Sequence, residues 1–176
     1  MTTTLAKRLK AAIRDVADFP KPGVMFKDIT PVMLDPRLFR EVTQAMAAPW
    51  KGKGLTHVLA IESRGFLFGA PVAIELGAKL VPVRKAGKLP STRVSERYAL
   101  EYGEDVVEIH ADALNPRSLA LIVDDVVATG GTAAATRRLA MRCGAGVIGV
   151  GVLIELGFLP WRQALPGVHV EALVSF

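Results

Sequence analysis

The sequence predicts an α/β fold: a mostly parallel twisted sheet flanked by helices. Short apolar runs rich in branched residues, HVLAI, LALIV and GVIGVGVLI, have the length and composition of strands buried on both faces. Between them lie helical segments, FLFGAPVAIEL and TAAATRRLAMRC among them. Strands alternating with helices are the pattern of a parallel sheet covered on both sides. The chain of 176 residues has no repeat, low-complexity tract or linker, so a single domain over residues 1–176 is expected.

From the N-terminus, TLAKRLKAAIRDV spaces Leu5, Leu9, Ile13 and Val16 as a helix does, with the preceding threonines as caps. FPKPGVMFKDITPVMLDP is too rich in proline for a helix and reads as extended chain with turns. A helix follows Asp35, with Pro36 at its first position. HVLAI is a strand, ESRG a turn, FLFGAPVAIEL a helix and KLVPV a strand. The polar stretch KAGKLPSTRVSERYALEYG reads as irregular, and DVVEIH alternates as a strand. LALIV, TAAATRRLAMRC and GVIGVGVLI then give strand, helix and strand. The last residues hold a small appendage and a final strand at HVEALV.

Composition narrows the function classes. Hydrophobic residues make up 51% and charged residues 22%, the balance of a globular chain. The net charge of +5 comes from scattered Lys and Arg without aromatic interleaving, which argues against nucleic acid and suits a phosphorylated small molecule. One cysteine, Cys143, excludes an internal disulfide and reads as a packed thiol. MTTTLAKRLK lacks the apolar core of a secretory signal, and GVIGVGVLI falls short of the roughly 20 residues that span a bilayer. A cytoplasmic protein with no membrane partner is expected.

The densest chemistry lies in LIVDDVVATGGT. Ligands of open α/β sheets sit beyond the carboxyl ends of the strands, where this segment falls. Gly130 and Gly131 let successive N–H groups turn into one concavity at a helix N-terminus, with hydroxyls from Thr129 and Thr132 and the backbone of Ala128 completing a cradle for a phosphate monoester. Asp124 and Asp125, acceptors when ionised, suit the vicinal hydroxyls of a sugar beside that phosphate. Rival motifs fail. ATGGTAAA lacks the lysine of a Walker loop, and GAGVIG follows a helix and enters a strand, the reverse of the dinucleotide order. His57, His110 and His169 show no metal-ligand spacing, and no G-x-S-x-G elbow is present.

LIVDDVVATGGT resembles the phosphoribosyl diphosphate (PRPP) signature of type I phosphoribosyltransferases. FPKPGVMFKDITPVMLDP, ESRGFLFGAPVAIELG, VRKAGKLP and YALEYGEDVVEIH resemble, in the same order, segments of the adenine phosphoribosyltransferase family. The Asp-Asp pair is similar to the adenine branch, whereas hypoxanthine-guanine and orotate relatives usually carry Glu-Asp.

The resemblance implies the reaction of adenine with PRPP to give AMP and diphosphate, with Mg²⁺ arriving through PRPP near Asp124 and Asp125 and no dedicated protein ligand set. Asp124 and Asp125 would hold the ribose hydroxyls, and Ala128, Thr129, Gly130, Gly131 and Thr132 the 5′-phosphate. Glu62, Ser63 and Arg64 resemble the diphosphate loop, with a cis peptide before the serine. Arg84, Lys85 and Lys88 resemble the bases that neutralise diphosphate, some of them offered across a homodimer; Ala86 interrupts a run that often carries a further base. Residues 86–104 would form a mobile lid that excludes water, carrying Glu101 as the proton-exchanging carboxyl and Tyr102 as a shaping residue. Phe26 would stack on adenine and Leu156 face it, while backbone groups of Met25 and Lys27 read the base edge. Relatives often carry Val or Ile and Arg at those last two positions. A hood from residues 19–33, with C-terminal residues, would cover the base. The remaining alternatives are a phosphoribosyltransferase for another base and a non-catalytic PRPP sensor. Glu101 and the lack of length for a DNA-binding module argue against the sensor.

Overall fold

The computed structural model describes residues 4–99 and 103–176; Glu101 and Tyr102 lie outside them. Helix α1 (Leu5–Ala12) starts where the Thr4 hydroxyl accepts from the Lys7 amide. It buries Leu9 and stops sooner than its apolar spacing suggests. Arg14–Val16 forms a strand, β1, which pairs antiparallel with β2 (Phe26–Asp28), so Val16 continues no helix. The proline-rich stretch is likewise more ordered than composition implies. Helix α2 (Thr30–Leu34) admits Pro31 in its first turn, where the missing N–H removes no helical bond.

Helix α3 (Pro36–Ala47) begins as expected, its first amides at Arg37 and Leu38 donating to the Asp35 side chain. A 3-10 turn at Ala48–Trp50 leads to β3 (His57–Ile61), every residue of which is buried. Helix α4 (Gly65–Leu76) and β4 (Lys79–Lys85) follow. Then come the strands β5 (Arg93–Ala99), β6 (Glu104–His110) and β7 (Leu119–Val127). Helix α5 (Gly131–Arg142), β8 (Gly146–Glu155), the short α6 (Trp161–Ala164) and β9 (Val170–Ser175) complete the chain.

Seven strands form one sheet in the order β5-β6-β4-β3-β7-β8-β9. The block from β4 to β9 is parallel, and β5 and β6 add an antiparallel edge. Two cores fill the two faces. One, under α1 to α4, holds Leu9, Val42, Trp50 and Phe68; the other, under α5 and α6, holds Ile109, Ile122, Leu139 and Trp161. Gly69 sets the spacing of α4, since a Cβ there would come within 2.4 Å of the Ala60 Cβ on β3.

The stretch read as irregular contains strand β5, a correction with a clear cause. Val94, Glu96 and Tyr98 share one face of β5, and a glutamate in the middle breaks the apolar alternation. Glu96 is held there by Arg138 at 2.7 Å and Arg142 at 2.9 Å, both on α5. The appendage after β8 is α6, and the final strand forms as β9. Cys143 packs, half-buried, against the α5 core. Among the described residues, no helix is long and apolar enough to cross a membrane.

Candidate active site

Strand β7 does not end at the acidic pair but runs through it to Val127, placing Asp124 and Asp125 at the carboxyl end of the parallel sheet. The chain then turns at Gly130, whose φ of 79° is left-handed, and enters α5. Gly130 is also pressed against α6: a Cβ there would meet the Trp161 carbonyl oxygen at 2.9 Å. The appendage therefore backs the turn, a role with no signature in its own sequence. A cleft of ≈ 320 Å³ opens here, lined by Glu62, Ser63 and Arg64, by the run from Asp124 to Ala133, and by Val152. It gathers the predicted sugar and phosphate segments and the Glu62–Arg64 loop; Arg84, Lys85, Lys88, Met25, Phe26, Lys27 and Leu156 are not in its lining.

The loop between β3 and α4 forms the facing wall. The Glu62–Ser63 peptide is cis, as the resemblance implied. Gly65 opens α4 against β7, where a Cβ would come within 2.9 Å of both Asp124 Oδ1 and the Val123 carbonyl oxygen. Arg64 Nε lies 2.9 Å from Asp125 Oδ2, and its guanidinium carbon is 4.8 Å from the centroid of Phe26. That Asp125 oxygen is buried and has charge pairing but no hydrogen bond. Burial and the neighbouring Asp125 carboxylate raise the Asp124 carboxyl well above its usual range. Burial raises Asp125 as well, against the pull of Arg64. The Asp124 Oδ1 accepts the Asp125 amide at 2.8 Å, which fixes its orientation.

Glu62, which the resemblance places in the diphosphate loop, is itself held by cationic side chains and an amide. Burial alone would raise its carboxyl; hydrogen bonds from Lys88 (2.7 Å), the Lys85 amide (2.8 Å) and Arg84 (3.0 Å) bring it down to about 2. A carboxylate that low repels diphosphate, and what it does here is tie Arg84 and Lys88 to the wall that Glu62 gives the cleft. The Lys85 side chain turns away from Glu62 to Tyr98, 2.7 Å away, and to Asp105.

The predicted base-binding residues approach from β2 and β8. Phe26 meets Phe19 edge-on at 5.0 Å and lies under the Arg64 guanidinium. Met25 is half exposed. Lys27 binds Asp15 at 2.6 Å and lies over the Phe176 ring, so its side chain is engaged away from Phe26 and its backbone is what could serve a ligand. Leu156 donates its amide to the Val127 carbonyl at 3.0 Å, which sets it beside the strand end that feeds the Gly130 turn. His57 is buried, with its ring 2.7 Å from the Thr56 hydroxyl, and burial lowers its pKa. His169 is paired with Glu171 at the surface. Neither joins the cleft.

Residues 37–157 match the family model described as a phosphoribosyl transferase domain. The adenine phosphoribosyltransferase of Myxococcus xanthus is 53% identical over 174 residues, 99% of this chain and 95% of the relative. This chain belongs to the adenine phosphoribosyltransferase family. Two solved family members extend the likeness to the coordinates. The adenine phosphoribosyltransferase of Rhodothermus marinus matches with a TM-score of 0.95 at 49% identity, over 99% of this chain and 100% of that one. The Saccharomyces cerevisiae adenine phosphoribosyltransferase, complexed with an imino-altritol bisphosphate and adenine, matches with a TM-score of 0.91 at 38% identity, over 96% and 98%. In this adenine phosphoribosyltransferase family member, sequence reasoning overlooked Tyr98, Asp105 and Trp161. Tyr98 stands inside the segment read as irregular, where Glu96 interrupts the alternation, and Asp105 stands at the start of the strand that segment leads into.

Proposed function

We propose that the chain transfers the 5-phosphoribosyl group from PRPP to adenine, giving AMP and diphosphate. The observation that carries this reading is the convergence in one cleft of a buried acid pair, a glycine turn at a helix N-terminus and the Glu62–Arg64 loop. Residues 128–132 hold the 5′-phosphate with main-chain N–H groups and threonine hydroxyls, aided by the positive end of the α5 dipole. Asp124 and Asp125 accept the ribose hydroxyls. Arg64 spans the sugar and base subsites, and Arg84 and Lys88, positioned by Glu62, meet the diphosphate. Phe26 stacks on adenine, Leu156 lies against the base and the backbone of Met25 and Lys27 reads its edge.

The C1′–oxygen bond to diphosphate breaks with the electron pair leaving on diphosphate; the C1′–nitrogen bond to adenine forms, and the ring nitrogen gives up its proton. Glu101 takes part in that proton exchange and Tyr102 shapes the closed lid; both assignments rest on sequence. The acid pair offers hard oxygen donors, one of them a buried oxygen without a hydrogen bond, which fits a hydrated divalent cation carried in with PRPP. Mg²⁺ brought in with PRPP would be held beside Asp124 and Asp125 and would supply positive charge for the leaving diphosphate. Among the described residues, no group of three or more His, Cys, Asp or Glu side chains could hold a metal without it.

The protein works as a cytoplasmic homodimer. Leu34 and Ile74, 76% and 83% exposed, and a groove between Met33, Phe39 and Pro71 give α2, α3 and α4 an apolar outer surface suited to a second copy. The test of the activity is incubation with PRPP and Mg²⁺ beside adenine, hypoxanthine, guanine, xanthine or orotate. AMP from adenine alone is expected. Turnover of another base would overturn the assignment of Phe26, and PRPP binding without any nucleotide would replace the enzyme by a sensor.

A further inference from the structure

Tyr98 is 6% exposed and contributes no lining to the cleft, yet its hydroxyl touches the phosphate turn. That oxygen accepts from Thr132 Oγ1 at 3.1 Å and from Lys85 Nζ at 2.7 Å, and it donates to Asp105 Oδ2 at 3.0 Å. Lys85 also pairs with the same carboxylate oxygen of Asp105. A phenol has one hydrogen to give and two lone pairs to fill, so this one is fully used. Four elements meet there. Tyr98 lies on β5, and Asp105 stands opposite it in the β6 register. Lys85 ends β4, and Thr132 sits in the first turn of α5.

Thr132 has a single hydroxyl hydrogen, and here it points to Tyr98. On the reading given above, the same hydroxyl donates to the 5′-phosphate. One hydrogen cannot serve both acceptors. Once it turns to the phosphate, the Thr132 oxygen becomes an acceptor for Tyr98, whose hydrogen swings across from Asp105. Asp105 Oδ2 is then left to Lys85, while Oδ1 keeps the Val106 amide. No proton is gained or lost in this exchange, because Lys85 stays cationic and Asp105 anionic throughout.

We propose that Tyr98 is a positioning residue that couples occupation of the phosphate turn to the setting of the β5–β6 hairpin through the Thr132 hydroxyl. The inference rests on the phosphate assignment of residues 128–132. Two residues separate Tyr98 from Glu101 in the sequence.

The test uses the whole chain, with ribose 5-phosphate and diphosphate as separate probes. In the native protein, ribose 5-phosphate should change amide hydrogen exchange across residues 93–99 and 104–110, and diphosphate should not. Tyr98→Phe frees the Thr132 hydrogen, so it should bind ribose 5-phosphate about two- to tenfold more tightly. It should also lose the exchange response and show a lower kcat without a higher KM for PRPP. A residue that merely packs would weaken both probes together. Unchanged ribose 5-phosphate affinity in Tyr98→Phe with the hairpin still responding overturns the coupling. If that variant does not fold, the native exchange decides alone, and a hairpin indifferent to ribose 5-phosphate overturns it. Failure of ribose 5-phosphate to bind the native protein removes the phosphate assignment and the coupling with it.

Discussion

Arg64 Nε stands 2.9 Å from Asp125 Oδ2, an ion pair in which the acid is buried and the base one-third exposed. The pairing restrains Asp125 and, through the Arg64 stack on Phe26, ties the residue proposed for the sugar to the one proposed for the base. Arg64→Gln leaves a buried carboxylate without its cation and removes the plane that faces Phe26. PRPP affinity should fall about tenfold or more, and adenine affinity should fall as well. Calorimetry with each ligand checks this; a loss confined to PRPP would mean that the stack on Phe26 contributes nothing to the base.

Stability should oppose function at Asp124. Its carboxyl is raised by burial and by Asp125, so the folded state binds that proton more tightly than the unfolded chain. For such an acid the contribution to stability is complete below the unfolded value, near 4, and is lost as pH rises through the folded one. At neutral pH the free protein therefore carries a penalty, which Asp124→Asn removes while keeping an oxygen for the Asp125 amide. Thermal unfolding of Asp124→Asn at pH 7 should move up, by about 2–4 °C for each kcal/mol recovered, and PRPP binding should weaken. Lower thermal stability would contradict the electrostatic account of the pair.

Glu62 has the opposite sign. Its pKa of about 2 lies below the unfolded value, so its stabilisation is present above about 4.5 and is lost as pH falls towards about 2. Lys88 is half exposed, and its share is screened by solvent. Glu62→Gln should therefore cost about 1–2 kcal/mol at pH 7 and flatten the acid limb of the unfolding curve. Because Arg84 and Lys88 lose their anchor, inhibition by diphosphate should weaken. Stronger diphosphate inhibition would mean that Glu62 mainly repels the anion.

Gly130→Ala tests the support that α6 gives to the phosphate turn. The left-handed φ costs a non-glycine residue roughly 1–2 kcal/mol, and the Trp161 carbonyl would have to retreat from the new Cβ. AMP affinity should drop well beyond tenfold, with a smaller loss in thermal stability. Wild-type AMP binding would show that the turn tolerates displacement and that α6 is not its support.

Much of this was legible in the order of the residues. Buried strands such as His57–Ile61 announce themselves by runs of branched apolar residues, and the acid pair and glycine turn are contiguous in sequence, so local chemistry alone marked them as one candidate site. What escaped depends on partners far along the chain. Glu96 looks like a surface residue until Arg138 and Arg142 are brought against it. Glu62 looks like part of an anion site until it is seen grasping Arg84 and Lys88. Arg14–Val16 continues a helical spacing, yet pairing with Phe26–Asp28 takes it into a strand. In each case a long-range contact outweighed a local signal.

The order of the central strands has a consequence for the chain as it leaves the ribosome. β3 can pair with β4 early, since only α4 separates them, but its other neighbour is β7, where His57 aligns with Ala120. Until β7 has been synthesised, one edge of a strand that ends up wholly buried is open to any other strand that passes. A nascent chain paused between β4 and β7 is thus the form most in need of a chaperone. Synonymous codons that slow translation there should lower the soluble yield without altering a single residue of the finished protein.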